Sequence, residues 1–284
     1  MIRDLFAVSR PLSWINTAYP FVAAYLLTTR AVDLPFVIGT LFFLIPYNLA
    51  MYGINDVFDY ASDLANPRKG GVEGAMLPPS RHGAVLTAAV VSCVPFVIAL
   101  AVVGSPSSWL VLTVSLFAVV AYSAPPLRFK EVPLLDSVTS SVHFVSPALY
   151  GIVLGAGSVT AGSAAVLGAF LLWGIGTHAF GAVQDVVPDR EAGIRSIATA
   201  LGASRTVGVA LGAWASAGAL MLTTGAAGVW AALLVLPYIL VAAPYARVTD
   251  AAAADVNRGW RALLGINYVC GFVVTILLIL SVVG

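Results

Sequence analysis

Charge is what this chain has least of. Of its 284 residues, 10% are Asp, Glu, Lys or Arg and 60% are hydrophobic. A soluble globular domain carries about 25% charged residues. That class is excluded, and the mean hydropathy of +0.96 points to an all-α polytopic membrane protein. Cysteine is nearly absent too. Cys93 and Cys270 both lie in apolar runs without metal-ligand spacing, so they read as small buried hydrophobes rather than as a thiolate metal site. A cleavable signal peptide is not expected. Arg3, Asp4 and Arg10 come too early for its apolar core, and the first long run begins near Leu12. The net charge of +1 says nothing about partners, and no nucleic-acid partner is expected. The placement of the charges says more.

Nine apolar stretches approach the ~20 residues that a spanning helix needs. They run over residues 12–29, 35–55, 84–104, 107–124, 134–155, 160–183, 203–224, 226–246 and 262–283. Short turns are expected at Ser105 and Ala226. Kinks are expected at Pro20, Pro46, Pro95, Pro147 and Pro237. With nine spans, 13 of the 14 Lys and Arg residues fall on one side, and Arg30 alone on the other. Asp33 is likewise the only acid on the far side. The positive-inside rule then places the N-terminus and long loops in the cytoplasm and the C-terminus outside. No charge lies in the middle of any span. The polar chemistry belongs to the cytoplasmic mouth of a cell-membrane protein.

What is there, against this apolar background, is one polar stretch. Asn55-Asp56-Val57-Phe58-Asp59-Tyr60-Ala61-Ser62-Asp63 follows directly on the second span. On a helix, Asp56, Asp59 and Asp63 at i, i+3 and i+7 share a face. Carboxylates so close need a cation, and hard oxygen ligands suit magnesium or calcium. The plain alternative is an acidic helix end solvated by water.

A second acidic cluster argues for the first reading. Span six ends in Gln184-Asp185-Val186-Val187-Pro188-Asp189-Arg190, four spans after the first cluster. Spans four and eight also end alike, in Tyr122-Ser123-Ala124-Pro125 and Ala242-Ala243-Pro244-Tyr245. A single domain over 1–284, with an internal repeat of spans 1–4 and 5–8, would bring the two clusters to face each other. Pro188 disfavours a helical Val187, so a kink or restart is expected there. Arg68 and Lys69 follow the first cluster, Arg128 and Lys130 follow Tyr122, and Arg190 and Arg195 follow the second. Carboxylates for a metal, interleaved with bases for phosphate oxygens, describe a diphosphate site. For each base alone, a topological role is the competing explanation.

These residues carry a resemblance. NDVFDYASD resembles the NDxxDxxxD motif of the UbiA family of intramembrane prenyltransferases, and QDVVPDRE its DxxxD motif. YSAPPLRFK and SRPLSW resemble the family's segment after helix four and its usual start. The resemblance implies nine helices around a central cavity open to lipid. It implies that Asn55, Asp56, Asp59, Asp63, Asp185 and Asp189 hold magnesium and a prenyl diphosphate. Within the family, IPYNLAMYGINDVFDY, NPRKGGVEGA and TSSVHFVSPAL are similar to the lycopene elongases of actinobacteria. That implies dimethylallyl diphosphate as donor, and lycopene or another apolar lipid reaching the site from the bilayer as acceptor.

The expected mechanism is ionisation of the donor, then capture of the allyl cation by the acceptor's terminal double bond. Tyr122 would meet the diphosphate or the cation. Tyr52, Asn16 and His178 are candidates for the acceptor side, and His178, seven residues before Asp185, would take the final proton. Packing and ordinary hydrogen bonding compete for each of these residues, as they do for His143. Two rival functions remain. A UbiA-type enzyme acting on an aromatic quinone precursor or another lipid keeps the same metal chemistry. An ion-coupled transporter would place its ionisable residues near the bilayer midplane instead of at one mouth.

Overall fold

The computed structural model describes residues 1–65 and 75–283. Among them every regular element is helical. The α-helices are α1 Ile2–Val8, α2 Trp14–Thr29, α3 Leu34–Leu44, α4 Pro46–Phe58, α5 Tyr60–Ala65, α6 His82–Val103, α7 Pro106–Ser123 and α8 Leu135–Ala156. They continue as α9 Ala161–Val183, α10 Val186–Glu191, α11 Ile197–Leu201, α12 Ala203–Met221, α13 Ala226–Leu233, α14 Leu236–Ala242 and α15 Asn257–Val283.

Eight helical segments among the described residues are long and apolar enough to cross a membrane. They match the expected spans from the second to the last. The first expected span, 12–29, forms α2, which has 16 residues and so rises about 24 Å. The last span starts earlier than expected, at Asp250 instead of 262. Asp250, Asp255, Arg258 and Arg261 read as loop by their charge, yet a 3₁₀ turn over Asp250–Val256 leads straight into α15. Charges at a helix end can reach water without breaking it.

The chain divides into two compact units. One comprises Met1–Phe129 and Val142–Val159, the other Lys130–Ser141 and Thr160–Gly284. In the first, Phe21, Phe42, Phe43, Tyr47, Leu100 and Tyr150 form a fully buried aromatic and aliphatic core. Gly151 lets α8 approach α2 closely: a Cβ there would lie 2.8 Å from the Phe21 carbonyl oxygen and 3.1 Å from the Tyr25 nitrogen. In the second, Trp214, Phe180, Ile197 and Leu263 are buried together. There Gly176 brings α9 against α12, where a Cβ would lie 2.9 Å from Trp214 Nε1 and 3.0 Å from the Ala210 carbonyl. Outward faces stay apolar, as with Val90, Val91, Val94, Ile98 and Val102 on α6, which suits a lipid surround.

Pro46 breaks span two as expected. It begins α4, and Ile45 between the helices takes φ −119 and ψ −63. The last carbonyls of α3 would be orphaned there. Asn48 Nδ2 donates to the Phe43 and Leu44 carbonyls at 2.8 and 3.1 Å, and Thr17 Oγ1 donates to Phe43 at 2.7 Å. Cys93 is buried, as its apolar run suggests, and its thiol donates to the Pro46 carbonyl. Pro237 sits at the start of α14. Pro20, Pro95 and Pro147 lie inside unbroken helices. Ser105 caps α7 in a capping box with Ser108, making the short turn expected there.

Candidate active site

In the first unit the polar stretch begins on the last turn of α4. That helix ends at Phe58, and Asp59 follows it at φ −100 and ψ −2 before α5 resumes. Backbone bonds run on across the interruption, from Asp59 N–H to Asn55 and from Asp63 N–H to Asp59. The carboxylates take different partners. Asp56, buried, accepts from Arg10 Nη2 at 2.6 Å and from the Ala75 N–H at 3.2 Å. The same Arg10 guanidinium lies 4.2 Å over the Tyr52 ring, one turn before Asp56 on the same helical face.

Asp59, also buried, accepts from Asn55 Nδ2 at 2.5 Å, and Asn55 also donates to Ser123 Oγ at 2.9 Å. Arg128 lies 3.9 Å from Asp59 Oδ1 and donates to the Phe58 carbonyl at 3.3 Å. Asp63 is half-buried. Arg68 and Lys69 lie outside the described residues. Tyr122 stands edge-on to His143, with ring centroids 5.2 Å apart. Asn16 is exposed on α2.

Arg10 is the residue that sequence reasoning missed. It counted there only as a topology charge, yet it is the direct partner of Asp56. Its φ of +49 is left-handed. The helix just before it, α1, carries Asp4, which pairs with Arg81 ahead of α6. The chain's amino group above all holds the Asp4 carboxyl below the usual carboxylate range; burial opposes it, and Arg81 adds to the lowering. The one local signal was a charge just ahead of an apolar run.

In the second unit α9 stops at Val183 and α10 starts at Val186. The expected restart is present, but Val187 is helical, against the bias that Pro188 sets, because it lies in the first turn of α10 where Pro188 is tolerated. Asp185 precedes α10 and Asp189 lies within it; both are half-buried. Gln184 Oε1 accepts from Asn257 Nδ2 at 2.6 Å, which ties the end of α9 to α15. Arg190 is committed within its unit. It donates to Asp250 at 2.5 Å and to the Thr199 carbonyl at 3.0 and 3.3 Å. Arg195 is exposed beside a surface depression of about 470 Å³ that Arg190, Ile194 and Thr199 also line. Lys130 is half-buried ahead of α8. His178 Nδ1 lies 3.0 Å from Ser137 Oγ.

Among the described residues no three His, Cys, Asp or Glu side chains converge as a metal-binding group. The donor chemistry still fits a hard divalent ion. Each unit carries aspartates at the end of a long apolar helix, and Asp56 already holds a cation in Arg10.

Residues 17–271 match the profile of the UbiA prenyltransferase family. The chain belongs to this family. This UbiA-family chain is an intramembrane prenyltransferase and a multi-pass membrane protein. It is 53% identical over 286 residues to the C(50) beta-cyclic carotenoids biosynthesis protein LbtBC of Dietzia sp. (strain CQ4), covering 99% of this chain and 66% of that protein. It is 50% identical over 279 residues to a lycopene elongase/hydratase of Corynebacterium glutamicum, covering 98% of this chain and 97% of that one. This UbiA prenyltransferase therefore spans just under two thirds of the Dietzia protein and nearly all of the Corynebacterium one. Its fold is shared with a UbiA homolog from Archaeoglobus fulgidus bound to DMAPP and Mg2+, at a TM-score of 0.67, 20% identity, and coverage of 96% of this chain and 99% of that one. It is also shared with the apo UbiA homolog from Aeropyrum pernix K1, at a TM-score of 0.70, 19% identity, and coverage of 93% and 97%.

Proposed function

We propose that this prenyltransferase moves a dimethylallyl group from dimethylallyl diphosphate to the ends of lycopene, a step of carotenoid biosynthesis beyond forty carbons. The observation that carries this reading is the identity of 50% or more, over nearly the whole chain, to two proteins named for such carotenoid work. The single domain over 1–284 crosses the cell membrane nine times, with α2 as the first span. Its N-terminus and reactive mouth face the cytoplasm, and its C-terminus lies outside.

Asn55, Asp56, Asp59, Asp63, Asp185 and Asp189 would hold magnesium. When bound, that ion supplies charge neutralisation for the departing diphosphate. The chain's own residues do the rest. Arg128, Lys130 and Arg195, with Arg68 and Lys69, offer the diphosphate oxygens charge-assisted donors. Arg190, already held by Asp250, contributes by fixing the loop that carries Arg195. Tyr122 lends a hydroxyl or a ring face to the developing cation. Tyr52, Asn16 and His178 belong to the acceptor side. A hydrocarbon acceptor needs no buried counter-charge, which agrees with spans lacking charge in their middles.

Expression in a lycopene-producing host tests the reading. Pigments should become heavier by one and then two five-carbon units. Unchanged lycopene, with the protein in the membrane and donor available, refutes it. Prenylation of a hydroxybenzoate instead would move the acceptor to the aromatic class.

A further inference from the structure

Ser123 is a buried hydroxyl at the end of the fourth span that the transfer chemistry above does not use. It is the last residue of α7 and is 1% exposed. Asn55, 68 residues earlier in the last turn of α4, donates from Nδ2 to its Oγ at 2.9 Å. The other contact of that amide is with Asp59 Oδ2 at 2.5 Å. All three residues belong to the first unit.

These two contacts fix which way the amide faces. An ionised carboxylate only accepts, so the atom against Asp59 is Nδ2. Turned over, Asn55 would set its oxygen against another oxygen. Nδ2 carries two protons, one for Asp59 and one for Ser123. The amide cannot rotate without giving one of them up. No described residue donates to its oxygen, Oδ1, whose lone pairs stay open. Hard divalent cations accept amide oxygens as ligands.

Helix packing alone does not ask for this hydroxyl. Deeper in the span, the fully buried Ser115 Oγ donates to Tyr47 Oη at 3.1 Å and so holds α7 in register on α4. Ser115 and Ser123 are eight residues apart, as are Tyr47 and Asn55, which is about 12 Å along each helix. The Ser115 contact ties two helices together. The Ser123 contact orients an amide.

We propose that Ser123 is a positioning residue for divalent-metal binding: by taking the second amide proton of Asn55, it keeps Oδ1 as the atom that Asn55 offers to the cation. The inference rests on the reading of Asn55 as a magnesium ligand. Without the Ser123 oxygen, one amide proton has no acceptor and the amide is held on one side only. The ion then meets a ligand that is no longer pre-set. Loss of such a partner, one step removed from the metal, typically weakens metal affinity by about 10–100-fold. The Asp59 contact remains, which puts Ser123 at the low end of that range.

The test uses full-length protein purified in detergent: wild type, Ser123→Ala, Ser115→Ala, Asn55→Ala and the Ser123→Ala, Asn55→Ala double variant. Magnesium chloride is titrated without substrate, and its half-saturating concentration is read from the rise in thermal midpoint. The same quantity is read from turnover with dimethylallyl diphosphate and lycopene. In Ser123→Ala both concentrations should rise about tenfold. Ser115→Ala should lower the midpoint without metal and leave the half-saturating concentration within about twofold of wild type, because it touches the helices and not the amide. In the Asn55→Ala background, losing Ser123 should change the magnesium dependence no further, since Ser123 acts through the amide. Ser123→Cys keeps the volume with a weaker acceptor and carries the test where Ser123→Ala fails to fold. A purely structural role would lower the midpoint and leave the magnesium dependence alone. An unchanged half-saturating concentration in a folded Ser123 variant, or a shift that persists without the Asn55 amide, overturns the inference while the metal reading stands. Wild-type protein whose midpoint and turnover both ignore magnesium overturns both.

Discussion

Replacing Arg10 with Gln removes the positive partner of Asp56 and keeps a side chain of similar reach. Asp56 and Arg10 side chains are 6% and 17% exposed at a contact of 2.6 Å, so this is a nearly buried ion pair. Removing one member of such a pair costs about 3–5 kcal/mol, because the other charge is left unpaired. The Ala75 N–H stays on Asp56, and Arg10 retains some solvent, so about 3 kcal/mol is expected. Lost contact with the Tyr52 face adds to this. For a chain of this size each kcal/mol moves the midpoint by about 2–4 °C, which gives a fall of about 6–12 °C without magnesium. The assay is thermal unfolding of purified protein in detergent, followed by tryptophan fluorescence. Magnesium bears on the reasoning directly. If Asp56 is a metal ligand, Arg10 competes with the ion, and the variant binds it more tightly than wild type does. At a hundredfold excess over Kd, bound metal contributes about 2.7 kcal/mol, enough to recover most of the loss. The recovery should vanish in the Arg10→Gln, Asp56→Asn double variant. Equal stabilisation of wild type and Arg10→Gln by magnesium would refute the assignment of Asp56. A midpoint within about 2 °C of wild type would refute the buried pair itself.

Asp56→Asn and Asp185→Asn are each expected to abolish turnover in protein that still inserts and folds, since Asn keeps the size and loses the charge that holds a cation; near-normal activity in either purified variant removes that aspartate from the ligand set. A reporter active only in the cytoplasm should be active when fused after Arg81 or Gly202 and silent after Gly284, as the distribution of basic residues requires; a cytoplasmic C-terminus would break the nine-span count. Gly176→Val should lower the thermal midpoint through overpacking worth about 1–3 kcal/mol, because the Ala210 carbonyl and Trp214 leave its Cβ no room; a melting curve like that of wild type would mean that α9 and α12 adjust freely.

Much of the fold was written in hydropathy. Apolar runs long enough to span, set against scarce charge, gave eight segments now seen as helices, and Pro46 marked a break that the backbone makes. The acidic stretches also announced themselves, because aspartates directly after such runs are conspicuous. Partnership over long sequence distances was hidden. Arg10 reaches Asp56 across 46 residues and Asp136 reaches Ile197 across 61; periodicity within a helix carries no trace of either pair. Arg190 reads as a diphosphate ligand by its neighbourhood, and its contacts with Asp250, 60 residues away, and with the Thr199 carbonyl carry no trace in that pattern. The charges of 250–261 were weighed as loop signals, when a helix end near water accommodates them.

The break at Ile45 divides responsibility within a single membrane crossing. α3 ends on carbonyls that Thr17 and Asn48 take up. α4 begins under the Cys93 thiol and finishes on Arg10. The aspartates at its far end thus take their aim from a rod of 13 residues clasped at both tips. Asn48 belongs to α4 itself, so the amide that takes up the α3 carbonyls also ties the two helices to each other across the break.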